Sequence, residues 1–248
     1  MNQSITVTGM ILSATPIGEY DKRIVILTKE KGKISAFAKG ARRQNSPLMG
    51  VTNPFSFGEF QLYEGRSSYN VMQAHITNYF MEMSADLEGA YYGFYFMEIA
   101  DYYTKEYNDE KEMLKLLYQT MRALASGKIS QELVRYIYEL KVLVINGEAP
   151  EVFRCANCGV DDRTMVFSSL NHGLICKECQ GIAPDGIEVS GSTLYTLQYI
   201  VASTVEKLYT FTVSDEVLAE LGRIMKQYMS THVDKTFKSL EILEMCLK

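Results

Sequence analysis

The sequence predicts a multidomain α+β protein: a small five-stranded β-barrel, then a helical bundle interrupted by a four-cysteine insert. Three observations predict it. Short runs of β-branched and apolar residues fill the first part of the chain, apolar residues recur at helical spacing after Asn78, and two CxxC pairs follow Pro150.

The strand runs are Ile5 to Leu12, Arg23 to Thr28 and Gly32 to Ala38, separated by turn signals at Pro16-Ile17-Gly18 and Lys29-Glu30-Lys31-Gly32. A basic loop from Lys39 to Pro47 follows, then Phe55 to Tyr63 and Ser68 to Ile76. Five short strands fit a closed barrel, because closure removes exposed sheet edges. The strand count alone fits an OB-like barrel or an SH3-like one.

Helical texture begins at Tyr79, where Phe80, Met83, Leu87, Tyr91, Phe94 and Glu98 recur at roughly one face of a helix. Such an aromatic and methionine stripe is expected to be core. Asn108-Asp109-Glu110 opens a helix over Met113 to Ala125 that Gly127 ends, and Ser130 caps another, Leu133 to Ile145, stopped by Asn146-Gly147. Beyond the cysteines, Ser192 to Ala202, Ser214 to His232 and Lys235 to Lys248 resume the helical pattern. The segments drawn from this texture are residues 1–78 for the barrel, 79–149 and 187–248 for the helical domain, and 150–186 for the insert.

Hydrophobic content of 47% and charged content of 22% are ordinary for a globular protein. The N-terminus lacks a basic stretch followed by an apolar one, and the aromatic segment from Ala90 to Tyr103 is too short to span a bilayer. A cytoplasmic location is expected. The net charge of −5 is uneven: residues 1–80 hold nine Lys/Arg against five Asp/Glu, whereas the rest is acidic. A basic segment in an acidic chain is the distribution sought when nucleic acid is the partner.

Cys155-Ala156-Asn157-Cys158-Gly159 and Cys176-Lys177-Glu178-Cys179 carry the sharpest chemistry. Two intervening residues let both sulfurs of a tight turn face one ion, and two such turns complete a tetrahedral thiolate site. Gly159 suits the bend, and Asn171-His172-Gly173 reads as the hairpin tip between the pairs. Disulfides do not suit a cytoplasmic chain, a redox pair is normally one CxxC at a helix start, and iron–sulfur spacings differ. A catalytic zinc keeps an open position. The expectation is a structural Zn²⁺ held by Cys155, Cys158, Cys176 and Cys179, with Cys246 a buried apolar thiol.

Several stretches resemble the bacterial RecO family of recombination-repair proteins. Gly18-Glu19-Tyr20-Asp21-Lys22-Arg23-Ile24, Gly32-Lys33-Ile34-Ser35-Ala36 and Ala38-Lys39-Gly40-Ala41-Arg42-Arg43 are similar to its first three strands and loop. Pro54-Phe55, Leu62-Tyr63-Glu64-Gly65-Arg66, Ala149-Pro150-Glu151 before the cysteine pairs, and Lys235-Thr236-Phe237-Lys238-Ser239-Leu240 also match, the cysteines marking the zinc-bearing branch. The resemblance implies an OB-like barrel. It further implies a recombination mediator that binds single- and double-stranded DNA, anneals complementary strands and, with RecR and RecF, helps load RecA onto DNA coated by single-stranded-DNA-binding protein. A nucleoid-associated location follows from it.

The residues allow that reading. Lys22, Arg23, Lys33, Lys39, Arg42, Arg43 and Arg66 lie in turns and at strand ends, where cationic side chains reach phosphates. Tyr20, Phe37, Phe57, Tyr63 and Tyr69 are interleaved with them; Phe37 and Phe57 are expected to fill the barrel core. In the family the helical region receives the acidic C-terminal tail of single-stranded-DNA-binding protein, for which Arg122, Lys128, Arg135 and Lys141 are the candidates. No nucleotide-loop, dinucleotide or HExxH motif occurs, and His75, His172 and His232 are scattered, so no enzymatic activity is expected. The same features also permit a zinc-containing OB-fold protein that binds RNA or the ribosome.

Overall fold

The computed structural model describes residues 4–65, 68–84, 86–161 and 165–246. Five strands come first: β1 (Ser4–Ile17), β2 (Asp21–Thr28), β3 (Gly32–Ala38), β4 (Phe57–Glu64) and β5 (Tyr69–Asn78). They close into a barrel in the order β1-β2-β3-β5-β4, with β5 parallel to β3 and the other pairings antiparallel. That Greek-key closure is OB-like. The long β1 makes it possible. Its first half pairs with β4, its second half with β2, and a bulge between Ile11 and Ser13 bends it from one partner to the other.

Alternation decides what fills the barrel. In β3 every second residue is buried, so Ile34, Ala36 and Ala38 join Val7, Ile11, Ile24, Ile26, Phe60 and Leu62 inside. Phe37 lies on the other parity and stays half-buried on the outer face, and Phe57 leaves the barrel core to stack on Tyr118 at 4.4 Å. The expectation that these two rings fill the barrel is therefore corrected. The β3–β4 connection has no regular element but is anchored, with Ala41 and Leu48 buried in the barrel cluster and Thr52 Oγ1 donating to the Leu48 carbonyl.

Six α-helices follow: α1 (Leu87–Tyr103), α2 (Lys111–Ser126), α3 (Gln131–Ile145), α4 (Gly191–Ala202), α5 (Asp215–His232) and α6 (Lys238–Cys246). Helix α1 starts later than its apolar texture suggested, because Asp86 caps it by accepting from the amides of Glu88 and Gly89. Its buried residues, Tyr92, Tyr95, Phe96 and Ile99 among them, lie beside the predicted stripe; Leu87 and Phe94 are exposed. The cap at Ser130 forms as read and Ser214 caps α5 in the same way, each serine oxygen accepting from the amide three residues on.

Close packing divides the chain into two compact units, Met1–Ala125 with Phe237–Lys248, and Ser126–Thr236. In the first, α6 returns to α1: Phe237 meets the Tyr95 ring edge-on at 5.5 Å, and Glu98 accepts from the Ser239 amide. In the second, α3, α4 and α5 pack with a small sheet of β6 (Met165–Ser168), β7 (Gly173–Cys176) and β8 (Ile187–Glu188), ordered β7-β6-β8. The units thus group α6 with the barrel and the cysteine insert with α3 to α5. No helix among the described residues is long and apolar enough to cross a membrane.

Candidate functional site

Two places in the molecule concentrate chemistry, and each is built locally. The first is one end of the barrel. Gly40 takes φ +68, a left-handed turn that brings the 39–43 segment back onto the β1–β2 connection. Asp21 Oδ1 accepts from the Gly40 amide at 2.7 Å, and the Arg42 amide donates to the Tyr20 carbonyl at 2.8 Å. Arg42 Nη1 reaches the Gly18 carbonyl at 3.3 Å, and the Arg43 guanidinium lies over the Tyr20 ring at 5.0 Å. Lys22 donates to Asn53 Oδ1 at 2.8 Å; burial, then the nearby Arg42 charge, pulls its ammonium below the usual lysine range.

Lys22, Arg42, Arg43 and the exposed Tyr20 therefore gather around one turn, with Lys39 exposed beside it. Arg23 stands farther along the outer face of β2, opposite Phe37 on β3, and donates to Ser35 Oγ at 3.2 Å. Lys33 is not part of this group. Its ammonium is held by the Asp101 carboxylate at 3.1 Å and by the Asp101 carbonyl. Arg66 lies outside the described residues, as does the side chain of Cys246.

The four helical candidates differ in their surroundings. Arg122 and Lys128 are exposed. Arg135 pairs with the buried Glu139 carboxylate at 2.7 Å. Lys141 is buried, and its Nζ donates to the carbonyls of Ile200, Val201 and Ser203, the last at 2.6 Å. Asp21 and Asn53, which shape the basic end, carry no signal by spacing and were not singled out from sequence.

The second place is the cysteine cluster. The first pair sits on a tight turn closed by the Cys155 amide donating to the Val160 carbonyl and the Gly159 amide donating to the Cys155 carbonyl, both at 2.8 Å. The second pair leaves β7 at Cys176 and enters a short 3-10 turn. The β6–β7 hairpin joins them in register, Met165 opposite Cys176 and Ser168 opposite Gly173, with His172 at its tip. All four sulfurs lie within 4.8 Å of one another.

Their spacing suits one ion. Thiolates about 2.3 Å from a tetrahedral metal are roughly 3.8 Å apart. Cys158 Sγ and Cys176 Sγ stand 3.7 Å apart. The Cys176 amide points at Cys155 Sγ, and Asn157 Nδ2 donates to Cys179 Sγ at 3.2 Å. Burial opposes ionisation of Cys155, but the backbone N–H groups of Cys158, Cys176 and Asn157 outweigh it and bring the thiol down to about 6. Burial pushes the Cys176 thiol up. Four sulfurs crowded together cannot all ionise without a cation among them, so the donor set fits a metal ion.

An OB-like barrel with a basic end, followed by helices and a hairpin that carries a four-cysteine centre, defines a narrow class of chain. Residues 1–80 match the family described as Recombination protein O N terminal, and residues 84–241 match Recombination protein O C terminal. The chain belongs to the RecO family of DNA repair proteins. It is similar to "DNA repair protein RecO" of Alkaliphilus metalliredigens, 33% identical over 240 residues, covering 96% of this chain and 98% of that one. The protein of the same description from Acetivibrio thermocellus is 32% identical over 239 residues, covering 96% and 95%, and that of Bacillus pumilus 26% over 235 residues, covering 95% and 91%.

Proposed function

We propose that this protein is a recombination mediator that acts by binding DNA and not by covalent chemistry. On this reading it binds single- and double-stranded DNA, anneals complementary strands and, with RecR and RecF, helps RecA onto DNA coated by single-stranded-DNA-binding protein. It works in the cytoplasm, at the nucleoid. The observation that carries the reading is the gathering of Lys22, Arg42, Arg43 and exposed Tyr20 at one end of the barrel. Cations there neutralise phosphates, and the ring can stack on a base. Lys39 and Arg23 extend the basic surface, and the sequence adds Arg66. The four thiolates hold a structural Zn²⁺, which fixes the fold of the second unit and takes no part in DNA contact. The acidic tail of single-stranded-DNA-binding protein meets exposed cations of the helical region, Arg122 and Lys128 first.

The test is direct. Binding to single-stranded DNA falls steeply with salt, since each phosphate neutralised releases counterions. Arg42→Ala/Arg43→Ala weakens binding about tenfold or more at moderate salt and lowers the salt slope by about 1.4, two contacts at roughly 0.7 each. Unchanged affinity in a folded double variant would remove this end of the barrel from the site. Annealing of strands coated with the cognate single-stranded-DNA-binding protein, with and without RecR, tests the mediator role itself.

A further inference from the structure

The outer face of β1, β2 and β3 carries a cleft of about 430 Å³ whose two sides have opposite charge. Thr15, Arg23 and Ser35 of the barrel line one side, and Asp101 and Glu106 line the other. The acidic side is firmly attached. After α1 the chain runs alongside the start of β3: the Lys33 amide donates to the Lys105 carbonyl at 3.0 Å, the Tyr107 amide donates to the Lys31 carbonyl at 3.1 Å, and Glu106 bridges Gly32 in antiparallel fashion. The approach is so close that a Cβ on Gly32 would come within 2.4 Å of the Lys105 carbonyl oxygen. Lys33 of β3, which also lines the cleft, is paired with Asp101.

We infer that a single strand lies in this cleft with its phosphates toward Arg23 and its base edges toward Asp101 and Glu106, so that the cleft favours bases presenting an exocyclic amine. The inference rests on the DNA-binding reading and adds an orientation and a base preference to it. Two carboxylates against the single Lys33 ammonium leave this side net negative, which repels a phosphate at short range. A carboxylate is an acceptor only. It takes a hydrogen bond from the N4 amine of cytosine and opposes the O4 carbonyl that uracil places at the same position. Phe37, half-buried beside Arg23 in the β2–β3 register, offers a ring edge or face to the base.

The experiment compares full-length protein on oligodeoxycytidine and oligodeoxyuridine of equal length, whose bases differ in amine against carbonyl at C4 and in acceptor against donor at N3. The cytidine strand binds about fivefold to tenfold tighter, the size of one good base-edge contact. Asp101→Asn/Glu106→Gln, whose amides donate as well as accept, brings the ratio near one. Lys33→Met removes no phosphate contact and leaves the salt slope unchanged, whereas Arg23→Ala weakens both oligomers and lowers it. Equal binding of the two strands by the native protein overturns the inference, and so does a preference that survives the double substitution or a loss of salt slope in Lys33→Met. If neither oligomer binds at all, the DNA-binding reading fails and this one with it.

Discussion

An ammonium group hidden from water needs acceptors, and Lys141 has three, the carbonyls that end α4. It satisfies groups a helix terminus leaves without partners and complements the negative end of the helix dipole. Lys141→Met keeps the volume and removes those bonds, which is expected to cost about 2 kcal/mol of stability. Arg135→Ala removes a charge partner from the buried Glu139 carboxylate and is expected to cost about 3 kcal/mol. Lys128→Ala, on an exposed residue, changes stability by less than about 0.5 kcal/mol. Urea denaturation of the three variants checks the order, and equal small losses would overturn it. The sequence presents Lys141 and Lys33 as ordinary cations because their partners lie far along the chain. Lys141 meets a carbonyl 59 positions away, and Lys33 meets Asp101 across 68. The four cysteines were legible for the opposite reason: two residues between ligands is a local geometric requirement, written wherever it is met.

At the scale of elements, strand existence was easier to read than strand facing. The strands of the barrel were visible as β-branched or aromatic runs, yet Phe37 was expected inside on the size of its ring although it shares its parity with Lys33 and Ser35. Barrel closure decides, and it places Ile34, Ala36 and Ala38 inside and Phe37 outside. Helix α5 shows a further effect of packing. At its C-terminal end His232 lies 4.1 Å from the Tyr228 ring and 5.0 Å from His172 of the β6–β7 turn, centroid to centroid. Burial, then the His172 charge, lowers its pKa from the usual 6.5, and Glu148 only partly opposes them. The folded protein therefore resists a proton that the unfolded chain accepts. Above about 6.5 neither state is protonated and the residue has no pH effect; as pH falls below that value, stability falls until the depressed folded pKa is passed. His232→Asn should flatten the loss of urea midpoint between about pH 7.5 and 5.5 relative to the native protein. A slope unchanged by the substitution would assign the pH response to other groups.

On the scale of the whole molecule, the two compact units hold their cores by different means. The barrel cluster contains thirteen buried residues, none of them a metal ligand. The cluster at the cysteines contains five, Cys155, Val166, Ile175, Cys176 and Ala183, of which two are ligands. Its sheet has strands of four, four and two residues, too short to stand alone. It is fastened to α5 through the Phe167–Tyr228 ring contact and through Gln227 Nε2, which donates to Asp185 Oδ2 at 2.8 Å. A bound ion would therefore contribute folding energy to residues 150–186 and, through those contacts, to α5, but not to the barrel. Treatment with a strong chelator, or Cys158→Ser, is expected to lower the thermal midpoint and to speed amide exchange in β6, β7 and the last turns of α5, while exchange in β1 to β5 and affinity for single-stranded DNA stay within about twofold of native. The two readouts separate a structural metal from a functional one. If chelation abolished DNA binding while barrel exchange was unchanged, the metal would have to act in DNA contact, and its assignment as a staple of the second unit would fall. If neither exchange nor the thermal midpoint moved on chelation, and elemental analysis found no metal in the untreated protein, the four thiols would need another role.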